Sequence, residues 1–209
     1  MNNYLMPKTN GAHEIVIEKS RFITHVFRVN NVEQANEHIA NIRKMHAKAN
    51  HNCIAYQIGE DNNLQRAMDD GEPVGTAGVP MLDVLKHQDI RNCLVIVTRY
   101  FGGIKLGTGG LIRAYGKAVS ESLQAIGLVR IVKLQSIWLT CDYNLLDTLL
   151  SRIKSLNYQI GEITYGAVVD IEALVEIEHV NSFETYIKDL THQRVIPRIG
   201  NFASREIPI

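Results

Sequence analysis

Five glycines fall within nine residues of this chain, between Gly102 and Gly110. The apolar run Leu94-Val95-Ile96-Val97 comes before them, and a helix-period run starting at Leu111 comes after. The spacing predicts a strand, a glycine-rich loop and a helix start. So much glycine is costly in backbone entropy. A fold keeps it where the chain needs positive φ or where other backbone must approach closely. The surroundings are basic: residues 91–120 hold Arg91, Arg99, Lys105, Arg113 and Lys117 and neither Asp nor Glu. A glycine-fronted helix N-terminus ringed by cations favours an anion.

Two readings of this loop stand. In one it cradles an anion, with the N–H groups of Thr108, Gly109 and Gly110 and the side chains of Arg99, Lys105 and Arg113. In the other it is a tight turn that lets the helix pack on the sheet, its cations solvated. Known nucleotide cradles are excluded: GxxxxGK[ST] fails because Gly107 and Thr108 follow without a lysine, and a dinucleotide fingerprint would need glycine where Ile112 stands. Tyr100 and Phe101, beside the cations, are either base-stacking aromatics or strand-end core.

The second dense stretch is Asp69-Asp70-Gly71-Glu72-Pro73 through Pro80. Its three carboxylates can hold Mg²⁺ or serve as acid and base. They can equally pair with Arg99 or Lys105 and order the glycine loop, or cap the helix near Pro80; pairing and capping is the favoured reading. No positive case for catalysis emerges. There is no HExxH or GxSxG, His51 reads as structural, and His46 and His87 look like surface helix positions. Cys53 has apolar neighbours, which raise a thiol pKa. The three cysteines form no CxxC and read as buried and reduced. No cofactor or metal is indicated.

Strands are expected at 13–18, 22–29, 51–58 and 92–98, with residues 59–75 as a polar, turn-rich loop. Asn31 with Gln34 forms a capping box for a helix whose face is Val32, Ala35, Ile39, Ile42 and Met45. A short helix begins near Pro80. The helix after the glycine loop presents Ile112, Tyr115, Val119, Leu123 and Ile126, and Gly127 ends it. From about residue 130 the pattern restarts. A strand over 134–141 leads to a helix capped by Asp142 (Leu145, Leu146, Leu149, Leu150, Ile153, Leu156). A strand at 158–165 and a strand alternating from Val169 to Ile177 follow. Asn181 and Glu184 then form a second capping box, and a last strand spans 195–199. That β-α-β-β-α-β order is the ferredoxin-like one. The expected class is α+β, with domains at 1–132 and 133–209 that abut without a linker. Residues 1–133 carry 16 Lys+Arg against 12 Asp+Glu, and residues 134–209 carry 6 against 10, so the net zero hides +4 and −4. Neither a secretory leader at Met1–Pro7 nor the roughly 20 apolar residues of a membrane span is present. A cytoplasmic protein with no membrane partner is expected.

Four motifs occur together: Lys19-Ser20-Arg21-Phe22; His51-Asn52-Cys53-x-Ala55-Tyr56; Asp69-Asp70-Gly71-Glu72-Pro73-x-Gly75-Thr76-Ala77-Gly78-x-Pro80; and Arg99 through Tyr115 around the glycines. In this order they resemble the Impact/YigZ family, over residues of about 15 to 127; the remainder resembles the small C-terminal domain of bacterial members by pattern. Val79 departs from the basic residue common in relatives. The resemblance implies an N-terminal α/β domain like domain IV of elongation factor G, shared with a ribosomal protein and the GHMP kinases and containing a left-handed βαβ crossover. It implies a C-terminal domain like the last domain of that factor. Eukaryotic relatives regulate translation by competing for an activator of an initiation-factor kinase. The expected function is therefore a non-enzymatic, translation-associated binding protein that contacts RNA or the ribosome, with a translation-related protein as a further partner. The alternatives are an enzyme on a small phosphorylated substrate and a protein–protein adaptor. The expected binding set is Lys19, Arg21, Arg99, Tyr100, Gly102, Gly103, Lys105, Gly107, Thr108, Gly109, Gly110, Arg113 and Lys117. Asp69, Asp70 and Glu72 order the loop.

Overall fold

The computed structural model describes residues 3–209, so of the N-terminal stretch Met1–Pro7 its first two residues lie outside the described residues. The chain is α+β, with two antiparallel sheets and five α-helices among the described residues. It separates into two compact units, residues 3–131 with 207–209, and residues 132–206.

The first unit contains β1 (Tyr4–Pro7), β2 (Gly11–Ile17), β3 (Ser20–Arg28), α1 (Val32–Met45), β4 (His51–Ile58), β5 (Leu64–Met68), α2 (Gly78–His87), β6 (Cys93–Tyr100), α3 (Gly107–Ile126) and the start of β7 (Leu128–Cys141). Its main sheet has the order β2-β3-β6-β4-β5. Since β6 is antiparallel to both β3 and β4, those two run parallel with β6 between them and α1 as their crossover. β6 is buried on both faces. Val95 and Val97 pack with Met81, Leu85, Leu111 and Tyr115 from α2 and α3. Leu94 and Ile96 pack with Ala35 and Ile42 from α1. A strand covered on both sides reads as a continuous apolar run without alternation, as Leu94–Val97 does.

The capping box of α1 is present: the Gln34 N–H donates to Asn31 Oδ1 at 2.9 Å, and the Asn30 N–H donates to Gln34 Oε1 at 2.9 Å. Two strands differ from expectation. β5 lies within 59–75, where only a loop was expected; LQRAM neither alternates nor carries β-branched residues, and it is held by pairing with β4. β1 occupies the polar start and pairs with the opening of β7 through Tyr4↔Ile131 to Pro7↔Leu128. In α3 the buried stripe is Leu111, Ala114, Tyr115, Ala118, Val119, Ser122 and Leu123, while Ile112 is exposed. Met45 is likewise exposed.

The second unit contains the rest of β7, α4 (Tyr143–Ser155), β8 (Gln159–Tyr165), β9 (Val169–Glu176), α5 (Val180–Leu190) and most of β10 (Arg198–Pro208). The strand order is β8-β9-β7-β10. Val169, Ile171, Ala173 and Val175 pack against Leu149, Ile153, Phe183 and Ile187, with the intervening residues of β9 half-buried. Leu156 is exposed. Three expectations are corrected. Ile177 opens a 3₁₀ turn that delivers the chain into α5, so the helix begins at Val180 with His179 as cap residue, and the Asn181–Glu184 box does not form. Asp142 precedes α4 without a side-chain cap bond. The last strand runs 198–208, not 195–199.

Candidate functional site

The site is built by a hairpin, a turn and a loop that meet at one end of the first unit's sheet. β2 and β3 are joined by Glu18 and Lys19, with φ of 45° and 61°, so both sit in the left-handed region a two-residue hairpin turn requires. Gly102 closes directly against this turn. A Cβ there would collide with the Lys19 carbonyl and the Ser20 nitrogen, and the Gly102 N–H donates to Ser20 Oγ at 3.2 Å. Gly103 (φ 86°) and Gly107 (φ 67°) supply the positive φ. The loop therefore uses glycine for both physical reasons, approach and conformation.

The acidic turn is internally satisfied. The Asp69 carboxylate accepts N–H groups of Gly75, Ala77 and Gly78 at 2.8–3.0 Å and so caps α2. Burial opposes its ionisation, but the bonds from Gly75, Gly78 and Ala77 outweigh that and hold the carboxyl below its ordinary range. Asp70 accepts the Asn52 N–H at 2.7 Å and Arg43 at 3.0 Å, a partner that sequence reasoning did not name. Glu72 takes Arg99 Nη1 at 2.7 Å and the Tyr115 hydroxyl at 2.8 Å on the same oxygen, Oε1. The Glu72 and Arg99 side chains are only 4% and 5% exposed.

Arg99, expected both in the anion-facing set and as a partner for the acidic turn, is thus a buried residue paired with Glu72. Its Nη2 donates to Ser20 Oγ at 3.3 Å, and its guanidinium lies over the rings of Phe22 and Phe101. Tyr100 is half-buried, with its hydroxyl 3.0 Å from His46 Nδ1 and the Arg21 guanidinium over its ring. Cys53 donates to the Asp69 carbonyl at 3.0 Å and lies 3.3 Å from the Tyr115 hydroxyl, and burial pushes its thiol up to about 12. Cys93 and Cys141 are buried too. His51 Nδ1 donates to the Asp70 carbonyl at 2.9 Å, a structural bond.

The remaining cations face outward. Lys19, Arg21, Lys105, Arg113 and Lys117 are exposed, as are Thr108 and Gly109 at the start of α3, with Gly110 half-buried behind them. Arg21 pairs with Glu14 and Lys117 with Glu121. α3 has no side-chain cap and no acidic residue in its first turn, unlike the Asn31-capped α1. Two clefts flank Lys105 and Leu106. One, of about 270 Å³, is lined by Glu72, Pro73, Arg99, Phe101, Gly107, Thr108 and Leu111. The other, of about 550 Å³, is lined by Glu18, Ile104, Gly110, Arg113 and Lys117 among others. Exposed cations and unclaimed N–H groups can hold phosphate or carboxylate oxygens.

A histidine cluster on the opposite sheet face had no sequence signal. His46 caps the C-terminus of α1, half-buried and not a plain surface position, with its Nε2 3.1 Å from His25 Nε2. Burial, then His46, lowers the His25 pKa; burial, then Arg21, lowers that of His46. Folded values below the unfolded one mean that this contribution is complete above about pH 6.5 and is lost as pH falls through the folded values. The urea midpoint of the wild type is expected to drop across this range, and that of His46→Gln to drop less. Parallel curves would exclude the pair as the source.

Residues 18–123 match the family model described as the Impact N-terminal domain, and residues 139–194 match that of a domain of unknown function, DUF1949. The chain is 47% identical over 192 residues to IMPACT family member YvyE of Bacillus subtilis, covering 92% of this chain and 88% of that protein. It is 33% identical to IMPACT family member YigZ of Escherichia coli, over 91% and 95% of the two chains. Protein IMPACT of Danio rerio is 37% identical over 107 residues, 49% of this chain and 33% of that protein. A crystal structure titled only as a hypothetical protein superposes with a TM-score of 0.60 at 32% identity, over 96% of this chain and 98% of that one. On these matches and on the site motifs they span, the chain belongs to the IMPACT family.

Proposed function

We propose that this chain is a non-enzymatic, translation-associated binding protein that contacts RNA or the ribosome through Lys19, Lys105, Arg113 and Lys117 around the start of α3. The observation that carries this reading is the uncapped N-terminus of a 20-residue helix, rimmed by exposed cations, with Glu18 the nearest carboxylate in the adjoining cleft. Arg99 shapes this surface from within. The fold supports the same reading. The parallel β3-α1-β4 crossover around β6 agrees with a unit like domain IV of elongation factor G, and the order β8-β9-β7-β10 with two helices on one face agrees with a ferredoxin-like unit like that factor's last domain. Fold likeness alone is a weak warrant, so the cations must decide. Against the enzyme reading stand the structural partners that Asp69, Asp70 and Glu72 all hold. No helix among the described residues is long and apolar enough to cross a membrane.

Fluorescence anisotropy with labelled RNA, and co-sedimentation with ribosomes, test this at low and moderate salt. Affinity is expected to fall steeply with salt, and Lys105→Ala with Arg113→Ala to reduce the slope of log K against log salt by about 0.7 for each phosphate contact removed from a single strand. Absence of both RNA and ribosome binding at low salt would sink the reading, as would a slope untouched by the double substitution.

A further inference from the structure

We propose that the smaller cleft seats one unpaired nucleobase, so that the RNA contact is made to single-stranded and not duplex RNA. This rests on the RNA-binding reading above and assigns a base site to it. The cleft is about 270 Å³, at the small end for ligand sites and suited to one planar heterocycle. One of its walls is Phe101, which follows β6 directly and is 45% exposed. Arg99 lies 5.5 Å from the centroid of that ring, and the exposed part of the ring is available for stacking.

A second observation is independent of the aromatic. Glu72 lines the same cleft with a side chain that is 4% exposed. Both of its hydrogen bonds arrive at Oε1, and no donor among the described residues reaches Oε2. Oε2 is therefore the oxygen left to accept an N–H brought by a ligand. Every unpaired base offers such an N–H on its Watson–Crick edge. In a duplex that edge is consumed by pairing and the ring faces are covered by neighbouring bases. The larger cleft shares Lys105 and Leu106 with the smaller one and adds Arg113 and Lys117. A strand whose base enters the first cleft thus has its phosphates beside these cations.

The test is anisotropy with a short single-stranded RNA and with a duplex of the same length, using the full chain and Phe101→Ala and Phe101→Trp variants whose folding is checked by circular dichroism. The single strand is expected to bind more tightly than the duplex. Phe101→Ala is expected to weaken single-strand binding about tenfold with an unchanged salt slope, to leave duplex binding alone, and to be rescued by Phe101→Trp. Equal binding of strand and duplex, or an indifferent Phe101→Ala, overturns the base site while the RNA reading survives. No binding of either RNA, or of ribosomes, overturns both.

Discussion

Glu72→Ala will destabilise the first unit by about 3–5 kcal/mol, the usual cost of leaving one member of a buried ion pair alone. The substitution strands the Arg99 guanidinium, which is 5% exposed and already has one buried nitrogen, Nε, without a partner. It also removes the acceptor of the Tyr115 hydroxyl, itself fully buried between α3 and the sheet. Against a total stability of about 5–15 kcal/mol such a loss is readily seen as a lower urea midpoint. Glu72→Leu combined with Arg99→Met should recover much of it, because an apolar pair of similar volume removes both desolvation costs. A loss below about 1 kcal/mol for Glu72→Ala would mean that the pair does not organise this region. Exposed Lys105→Ala is the control and should stay within about 0.5 kcal/mol.

Gly102→Ala is expected to be as severe, at about 4 kcal/mol or more, by a different mechanism. The new methyl group meets the backbone of Lys19 and Ser20, not a flexible side-chain end that could swing away. Relief would require the β2–β3 turn to lift from the loop, which breaks the Gly102 N–H bond to Ser20 Oγ and draws that hydroxyl from Arg99. Gly103→Ala makes the contrast. It meets nothing within 4 Å and bears only the strain of φ 86°, about 1 kcal/mol. Thermal or urea denaturation of the two variants side by side would separate close approach from conformation. Equal losses would refute the packing argument.

How much was legible in the sequence follows from how local each cause is. Asn31 and Gln34 act within one turn, and their box is found where the spacing places it. The doubly covered β6 announces itself through four consecutive apolar residues. β5 does not, since Leu64–Met68 is a strand only because β4 offers it an edge. The Asn181–Glu184 pattern misled because a 3₁₀ turn started the helix earlier. At the site, Arg99 was legible as a cation and as a partner for the acidic turn, but not as a buried residue. Its fate is set by Glu72, 27 residues away, and by Ser20, 79 residues away. His25, His46 and Tyr100 come from β3, the end of α1 and β6, and no spacing links them.

The buried thiols have a use of their own. Cys53 and Cys93 lie in the core of the first unit and Cys141 in the core of the second. A maleimide or disulfide reagent added to the native protein reaches them only when the surrounding core opens. The chain thus carries a built-in gauge of local unfolding, two reporters for one unit and one for the other. Each unit's opening can be timed without introducing a label, and a ligand seated beside Glu72 would register as slower modification of Cys53 with Cys141 unchanged.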